Sequence, residues 1–345
     1  MKVNRRHSIA ALIGLAVAAL LIWGIKDEER QPKQEHFHNQ GKVFGTYYNI
    51  RYLASQDLEP EIQKAFTDFD NSLSLFNPHS ILSAVNDNRN PVTDSAFEAM
   101  WSEAEEVYTL SGGAFDITVA PLVNYWGFGR TQSTDRSADR IQTDIDSLRK
   151  FVGFDKVELI DHHVYKAHPN VQIDAGAVAK GQACDMIASV LRAHGVEHFL
   201  IDIGGEIVTQ GEREPGEPWR VGITKPNLNN EGAQQELQQV LALRNSCMAT
   251  SGNYRNYYYA DGERRSHTID PRTGYPVQHS VLSATVVSST CMRADALATA
   301  CMVLGAEQAL HMIDCAKDAA CYLIVAQNDS LTVVQSPNWE ETITK

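Results

Sequence analysis

Along residues 58–75 apolar positions recur at helical spacing, with Ile62, Ala65, Phe66, Phe69 and Leu73 on one face, and this predicts an amphipathic helix. A second helix is predicted to present Phe97, Met100, Trp101, Ala104, Val107 and Tyr108 together. Ser95 with Glu98 three residues on reads as its capping box, and Gly112-Gly113 as its stop. Residues 138–152 predict a third helix, followed by short strands around Val157 and Val171 with a turn at Asp161-His162-His163. Residues 177–193 read as a helix ended by Gly195, and 198–203 as a buried strand leading into Gly204-Gly205. Residues 41–53 have strand character, and short strands dominate 219–289, with a hairpin signalled by Asp261-Gly262. Helices near 293–304 and 306–315, then strands at 321–327 and 331–335, close the chain. No long period repeats. The pattern predicts one α+β domain over residues 41–345, with mixed, mostly antiparallel sheets and packed helices.

The N-terminus changes the picture of where this domain resides. Residues 1–8 are basic and lack acids, and 9–25 are apolar apart from Gly14 and Gly24, which reads as an export signal or membrane anchor over residues 1–25. Ala16-Val17-Ala18 offers a cleavage pattern, but the apolar run continues past it, so an uncleaved anchor is the preferred reading. No Cys follows the run, which excludes ordinary lipoprotein attachment, and Arg5-Arg6 leaves a twin-arginine route open. Polar residues 26–40 read as a linker to the domain. The basic flank then stays cytoplasmic and the domain lies on the periplasmic side of a bacterial inner membrane. In that oxidising compartment the six cysteines, without a CxxC pair, read as mostly buried thiols, a bridge between Cys315 and Cys321 being the minor alternative.

Composition excludes some partners. The 345 residues carry a formal net charge of −13 and no clustered basic face, so nucleic acid is not an expected ligand. An anionic ligand must be held by a local device, a metal or a Lys.

Three units offer such devices. Asp295 and Thr299 stand four apart on a predicted helix, so a carboxylate and a hydroxyl point the same way as two hard oxygen donors, which suits Mg²⁺. The same spacing also describes a solvated helix face. Asp174-Ala-Gly-Ala-Val-Ala-Lys-Gly181 runs from a strand into a helix through small residues. Helix N-terminal amides and Lys180 favour phosphate there, and a tight packing corner is the competing reading. His267-Thr-Ile-Asp-Pro-Arg-Thr-Gly-Tyr-Pro276, preceded by Thr250-Ser-Gly-Asn-Tyr-Arg255, forms an irregular loop in which His267 could serve as a general base. His194-Gly-Val-Glu-His198 matches an H-x-x-E-H zinc pattern, but Gly195 ends the helix that would have to present both imidazoles.

Taken together and in order, these units resemble the ApbE family of FAD:protein FMN transferases. The resemblance also covers Phe44-Gly-Thr46, Ser74-Leu-Phe76 with Ser80 and Asn86, Ser111-Gly-Gly-Ala-Phe-Asp116, Trp126-Gly-Phe-Gly129, Asp202-Ile-Gly-Gly-Glu206 and Ala294-Asp-Ala-Leu-Ala-Thr299. It implies an ApbE-like flavin transferase fold and places Phe44, Phe76, Ala114, Phe115, Asp116, Asp174, Lys180, Thr250, Ser251 and Gly252 at FAD. It implies Mg²⁺ held by Asp295, Thr299 and the backbone carbonyl of Ala177, with His267 as base and Asp295 and His267 as the catalytic pair. The implied reaction moves the FMN half of FAD onto a Thr or Ser hydroxyl of membrane redox subunits and releases AMP. Alternatives are an FAD pyrophosphatase giving FMN and AMP, and a periplasmic FAD carrier. Phe44 in place of the usual Met, Ala175 in place of the usual Leu, and the missing lipoprotein Cys depart from the pattern.

Overall fold

The computed structural model describes residues 33–130, 138–226, 236–254, 257–260, 263–328 and 330–343. The predicted anchor over residues 1–25, together with Arg255, Asp261 and Gly262, lies outside the described residues. No helix among the described residues is long and apolar enough to cross a membrane.

The chain opens with strand β1 (Glu35–Val43) and β2 (Thr46–Ala54), paired residue for residue. Phe44 and Gly45 form the whole connection, and both have positive φ (50° and 73°), as a two-residue hairpin turn requires. The linker reading of 26–40 is corrected here, because β1 begins at Glu35. The strand is an edge with polar residues on both faces, so it lacks the apolar alternation that would announce it. Phe37, stacked 5.5 Å from Tyr52, and Val43 pack against the main core.

Helix α1 (Glu59–Leu73) buries the five predicted apolar residues, and α2 (Ile81–Asn86) follows. Helix α3 (Ser95–Leu110) buries its predicted face, with Tyr108 half-buried at its margin. Its cap, however, is Asp94, whose carboxylate accepts the Phe97 N–H at 2.8 Å. Ser95 is the first helical residue, and Glu98 bonds Thr93 and His162 instead. After α4 (Ala120–Tyr125), only Ile141–Leu148 of the third predicted helix is α-helical (α5); its flanks tighten to 3₁₀ turns. Strands β3 (Val157–Ile160) and β4 (His163–Lys166) form a small hairpin. The strand expected around Val171 is not formed. The Asn86 side-chain amide satisfies that segment, donating to Ile173 O at 2.8 Å and accepting from Ile173 N at 2.7 Å.

Helix α6 (Ala179–Ala193) leads to β5 (Phe199–Ile203) and β6 (Glu206–Gln210). The hairpin β7 (Trp219–Thr224) and β8 (Leu237–Leu243) comes next, then β9 (Cys247–Gly252) and the hairpin β10 (Tyr257–Ala260) and β11 (Glu263–Ser266). Strand β12 (Val281–Ser288), helices α7 (Cys291–Leu304) and α8 (Ala306–Ala316), strands β13 (Ala320–Gln327) and β14 (Ser330–Gln335) and helix α9 (Trp339–Ile343) complete the fold. Eight strands form one antiparallel sheet in the order β1-β2-β5-β6-β9-β12-β13-β14.

The helices α1, α3, α6, α7 and α8 and the strands' inner faces build the main core. On the other side of the sheet, β7, β8 and α9 close a second, smaller core around Ile223, Leu241, Met248, Tyr322 and Trp339. Helix α7 is buried on nearly every side because it lies between the sheet, α3, α6 and α8. All six cysteines are free, and the bridge between Cys315 and Cys321 is not made: Cys315 is exposed on α8 while Cys321 is buried in β13.

Candidate functional site

Because α7 is apolar almost throughout, its few polar side chains matter. Asp295 is 2% exposed and Thr299 half-buried, four residues apart as predicted, and both line one cavity of about 420 Å³. Three devices hold this helix in place. Thr290 caps it, accepting the Arg293 N–H at 3.2 Å. The carboxylate of Asp185, from α6, takes the N–H groups of Cys291 (3.0 Å) and Met292 (2.8 Å), two of the donors a helix start leaves unsatisfied. Gly181 lets α6 come close: a Cβ there would stand 2.2 Å from the Cys291 carbonyl oxygen. The Gly181 N–H in turn donates to Asp295 Oδ2 at 3.0 Å. The packing reading is therefore right for Gly181, whereas Gly176 is exposed and faces the cavity.

Lys180, in the first turn of α6, reaches two carboxylates. Its Nζ lies 2.6 Å from Glu206 Oε1 and 3.9 Å from Asp295 Oδ1. Burial would lower the Lys180 pKa, but Asp295 and Glu206 more than reverse this and hold it above the ordinary lysine range. Burial pushes Glu206 up to about 8, against the pull of Lys180 and with a further push from Asp295. Glu206 Oε2 is buried without a hydrogen-bond partner. Although its motif stands in the sequence, nothing local marks Glu206 as the partner of Lys180; only the return of β6 beneath α6 brings them together.

Around this cluster stand the other predicted residues. Ala114, Phe115 and Asp116 follow the Gly112-Gly113 stop of α3, and Ser111 Oγ accepts the Phe115 N–H at 3.0 Å. Burial raises the Asp116 pKa, and its Oδ1 accepts the Thr118 N–H and hydroxyl at 2.8 and 2.6 Å. Asp174 donates its N–H to Ile117 O at 2.7 Å and accepts the Gly176 N–H at 2.7 Å, which ties the strand-to-helix corner to the Phe115 segment. Burial raises its pKa too. From the end of β9, Thr250, Ser251 and Gly252 line the cavity, and Ser251 Oγ lies 3.2 Å from Thr299 Oγ1. Ala177 lines it as well.

His267 enters from the opposite wall. It directly follows β11 and meets the Phe128 ring edge-on at 6.2 Å. The loop behind it is pinned by Trp126, whose indole N–H donates to Gly274 O at 2.8 Å, and by the bridge between Ile269 and Pro276. Asp270 and Arg272 in that loop serve each other, in a two-pronged pair at 2.9 Å on each side. Phe44 and Phe76 are not in the main cavity. They line an adjoining chamber of about 190 Å³ that shares Gly176 and Lys180 with it. Phe44 packs against Phe66 and Phe69, while Phe76 is 83% exposed.

The H-x-x-E-H segment carries no site. His194 is the residue after α6, and His198 Nδ1 is engaged by the Glu212 main chain 3.0 to 3.1 Å away. Among the described residues no group of three or more His, Cys, Asp and Glu side chains could hold a metal.

The arrangement joins a lysine ammonium, hard oxygen donors and an imidazole around one space. The sequence profile of the ApbE family matches residues 44–323. The FAD:protein FMN transferase of Vibrio cholerae is 33% identical over 322 residues, covering 90% of this chain and 94% of that protein. The FAD:protein FMN transferase of Haemophilus influenzae is 34% identical over 311 residues, covering 86% and 88%. In fold the chain is similar to the crystallised flavin transferase ApbE of Vibrio cholerae, with a TM-score of 0.80, 30% identity and 90% and 99% coverage. The flavinyl transferase ApbE of Pseudomonas stutzeri in its apo form gives 0.78, 28% identity and 90% and 98% coverage.

Proposed function

The chain belongs to the ApbE family and is a flavin-transferring enzyme; on that premise we propose that it splits FAD at the pyrophosphate in the presence of Mg²⁺, joins the FMN half to a Thr or Ser hydroxyl of an acceptor protein, and releases AMP. The observation that carries this reading is the convergence of Asp174, Lys180, Ser251, His267, Asp295 and Thr299, from four separate segments, on one cavity. Its volume of about 420 Å³, with the adjoining chamber of about 190 Å³, suits a ligand of nucleotide size.

The donor set fits Mg²⁺. Asp295, Thr299 and the carbonyl of Ala177 are hard oxygens without a thiolate or imidazole among them, and the unpartnered Glu206 Oε2 adds a carboxylate oxygen within the same cluster. Bound there, Mg²⁺ would offset the negative charge of the pyrophosphate. Lys180 supplies a second positive charge against the phosphates. His267 takes the proton of the acceptor hydroxyl as its oxygen bonds to the FMN phosphorus. The bond from that phosphorus to the bridging oxygen breaks, and AMP leaves with that oxygen and the electron pair. Thr250 to Gly252 and Ala114 to Asp116 frame the substrate.

The apolar segment at residues 9–25 and its basic flank support an N-terminal anchor that holds this domain on the periplasmic side of the inner membrane, where membrane redox subunits are the acceptors in reach. Incubation of the protein with FAD, Mg²⁺ and an acceptor protein, with AMP followed by chromatography, tests the cleavage step. AMP formation that EDTA abolishes and Mg²⁺ restores is expected. FAD bound but left intact in the presence of an acceptor would make the protein a carrier.

A further inference from the structure

The large sheet has a second face, and strand alternation decides what stands on it. In β2, Tyr48, Ile50 and Tyr52 enter the main core, so Tyr47, Asn49 and Arg51 project from the opposite side. The pairings Asn49 with Asp202, and Asp202 with Ile207, carry that face across β5 and β6, and Met248 and Thr250 continue it on β9. Strand β7 walls this face off on one side, leaving a groove of about 550 Å³.

Two properties of the groove point to one occupant. First, it adjoins the cavity that holds the proposed catalytic residues: Gly204, Thr250 and Gly252 line both. At this junction two of the three residues have no side chain, so a polypeptide crossing the end of the sheet meets backbone and one hydroxyl. Secondly, its charge opposes that of the chain. The net charge is −13, yet Arg51 and Arg220 are exposed in the groove and neither has a carboxylate partner among the described residues. Of the other charged groups in the lining, Arg213 pairs with Glu217 at 2.7 Å, and Asp202, which accepts the Gly205 N–H at 2.9 Å, is a single carboxylate against the two arginines. Tyr47, 54% exposed, adds an aromatic surface beside the arginines. The phosphate-binding candidates Lys180 and Asp295 lie on the helical side of the sheet, away from this groove.

We propose that this groove is the docking track of the acceptor polypeptide, and that Arg51 and Arg220 select a segment carrying acidic side chains beside the hydroxyl to be modified. The inference rests on the transferase reading and adds to it the means of recognising the acceptor. A flexible anionic segment is drawn in by the two guanidinium groups, lies along the back of β2, β5 and β9, and delivers its hydroxyl past Gly204 and Gly252 towards His267.

The test uses the full chain, saturating FAD and Mg²⁺, and as acceptor a protein that the Vibrio cholerae FAD:protein FMN transferase flavinylates. Transfer is measured against acceptor concentration for the wild type, R51Q/R220Q and R51E/R220E, with AMP release from FAD alone measured alongside. The acceptor KM should rise modestly in R51Q/R220Q and roughly tenfold or more in R51E/R220E, with kcat, the KM for FAD and acceptor-free AMP release unchanged. Added KCl should raise the wild-type acceptor KM and affect R51Q/R220Q less. If R51E/R220E fails to fold by circular dichroism, R51Q/R220Q and the salt series decide. An unchanged acceptor KM overturns the proposal, and so does a KM for FAD that rises in step, which would assign the arginines to the nucleotide. Should the wild type cleave FAD yet modify no acceptor, the transferase reading fails and the docking claim with it; wild-type transfer leaves only the docking claim at stake.

Discussion

Asp295 is 2% exposed, accepts one backbone N–H, and shares Lys180 with Glu206. A buried carboxylate held this way has no role in packing α7 that an apolar residue could not fill better. Asp295→Ala is therefore expected to lower Mg²⁺-dependent AMP release from FAD by roughly 10²-fold or more, since it removes charge stabilisation at the reacting phosphates. Phe44→Leu, which alters only ring packing in the side chamber, should cost less. Normal metal-dependent turnover by the Asp295→Ala protein would contradict this assignment. His267→Ala should slow transfer to an acceptor by roughly 10²- to 10⁴-fold while FAD affinity, read by flavin fluorescence, is retained. As candidates that line one cavity, Asp295, Thr299, Lys180 and His267 are legible in the sequence because each belongs to a short local pattern: an i, i+4 pair, a strand-to-helix corner, a loop. Glu206 and Asp185 are not, because their roles exist only where α6 meets β6 and the start of α7.

Helix α7 is oriented by contacts that reach it from outside. Gly181→Ala places a Cβ against the Cys291 carbonyl and must push α6 from α7. The expected outcome is a loss of about 1–3 kcal/mol in denaturant unfolding, with a larger fall in AMP release than in stability because Asp295 and Lys180 move apart. Arg293, 10% exposed, joins α7 to Glu103 and Glu106 of α3 and to Asp318. Burial raises the Glu103 pKa, and Arg293 opposes that rise. A carboxyl whose folded pKa is raised contributes stability that is complete below its unfolded pKa and is lost as pH rises through its folded pKa. Without Arg293 the folded value climbs further, so the loss on raising the pH deepens. Arg293→Ala should therefore destabilise by about 3–5 kcal/mol at pH 8 and by clearly less at about pH 3, below the ordinary Glu value, where Glu103 is largely neutral in both states. Equal losses at the two pH values in urea melts would refute this. At this scale the apolar faces of α1 and α3 could be read directly, since a 3.6-residue period survives in sequence. The Asp94 cap was missed because Ser95 and Glu98 supply a competing signature one residue later, and β1 because an edge strand hides its period.

The molecule as a whole sets an acidic body around a site that must accept a polyanion, with, by our proposal, the helical side of the sheet serving the nucleotide and the opposite side the acceptor. The α+β class and the antiparallel order followed from short strands and hairpin signals. The groove did not, because Tyr47, Arg51 and Arg220 are spread over two strands that only the tertiary fold aligns. The measurement that tests the central claim most directly is the mass of an acceptor protein after incubation with the full chain, FAD and Mg²⁺. The account predicts a gain equal to FMN minus one water on a Thr or Ser, accompanied by AMP and abolished by EDTA. An unmodified acceptor beside FAD fully converted to FMN and AMP would contradict it and make the protein a pyrophosphatase.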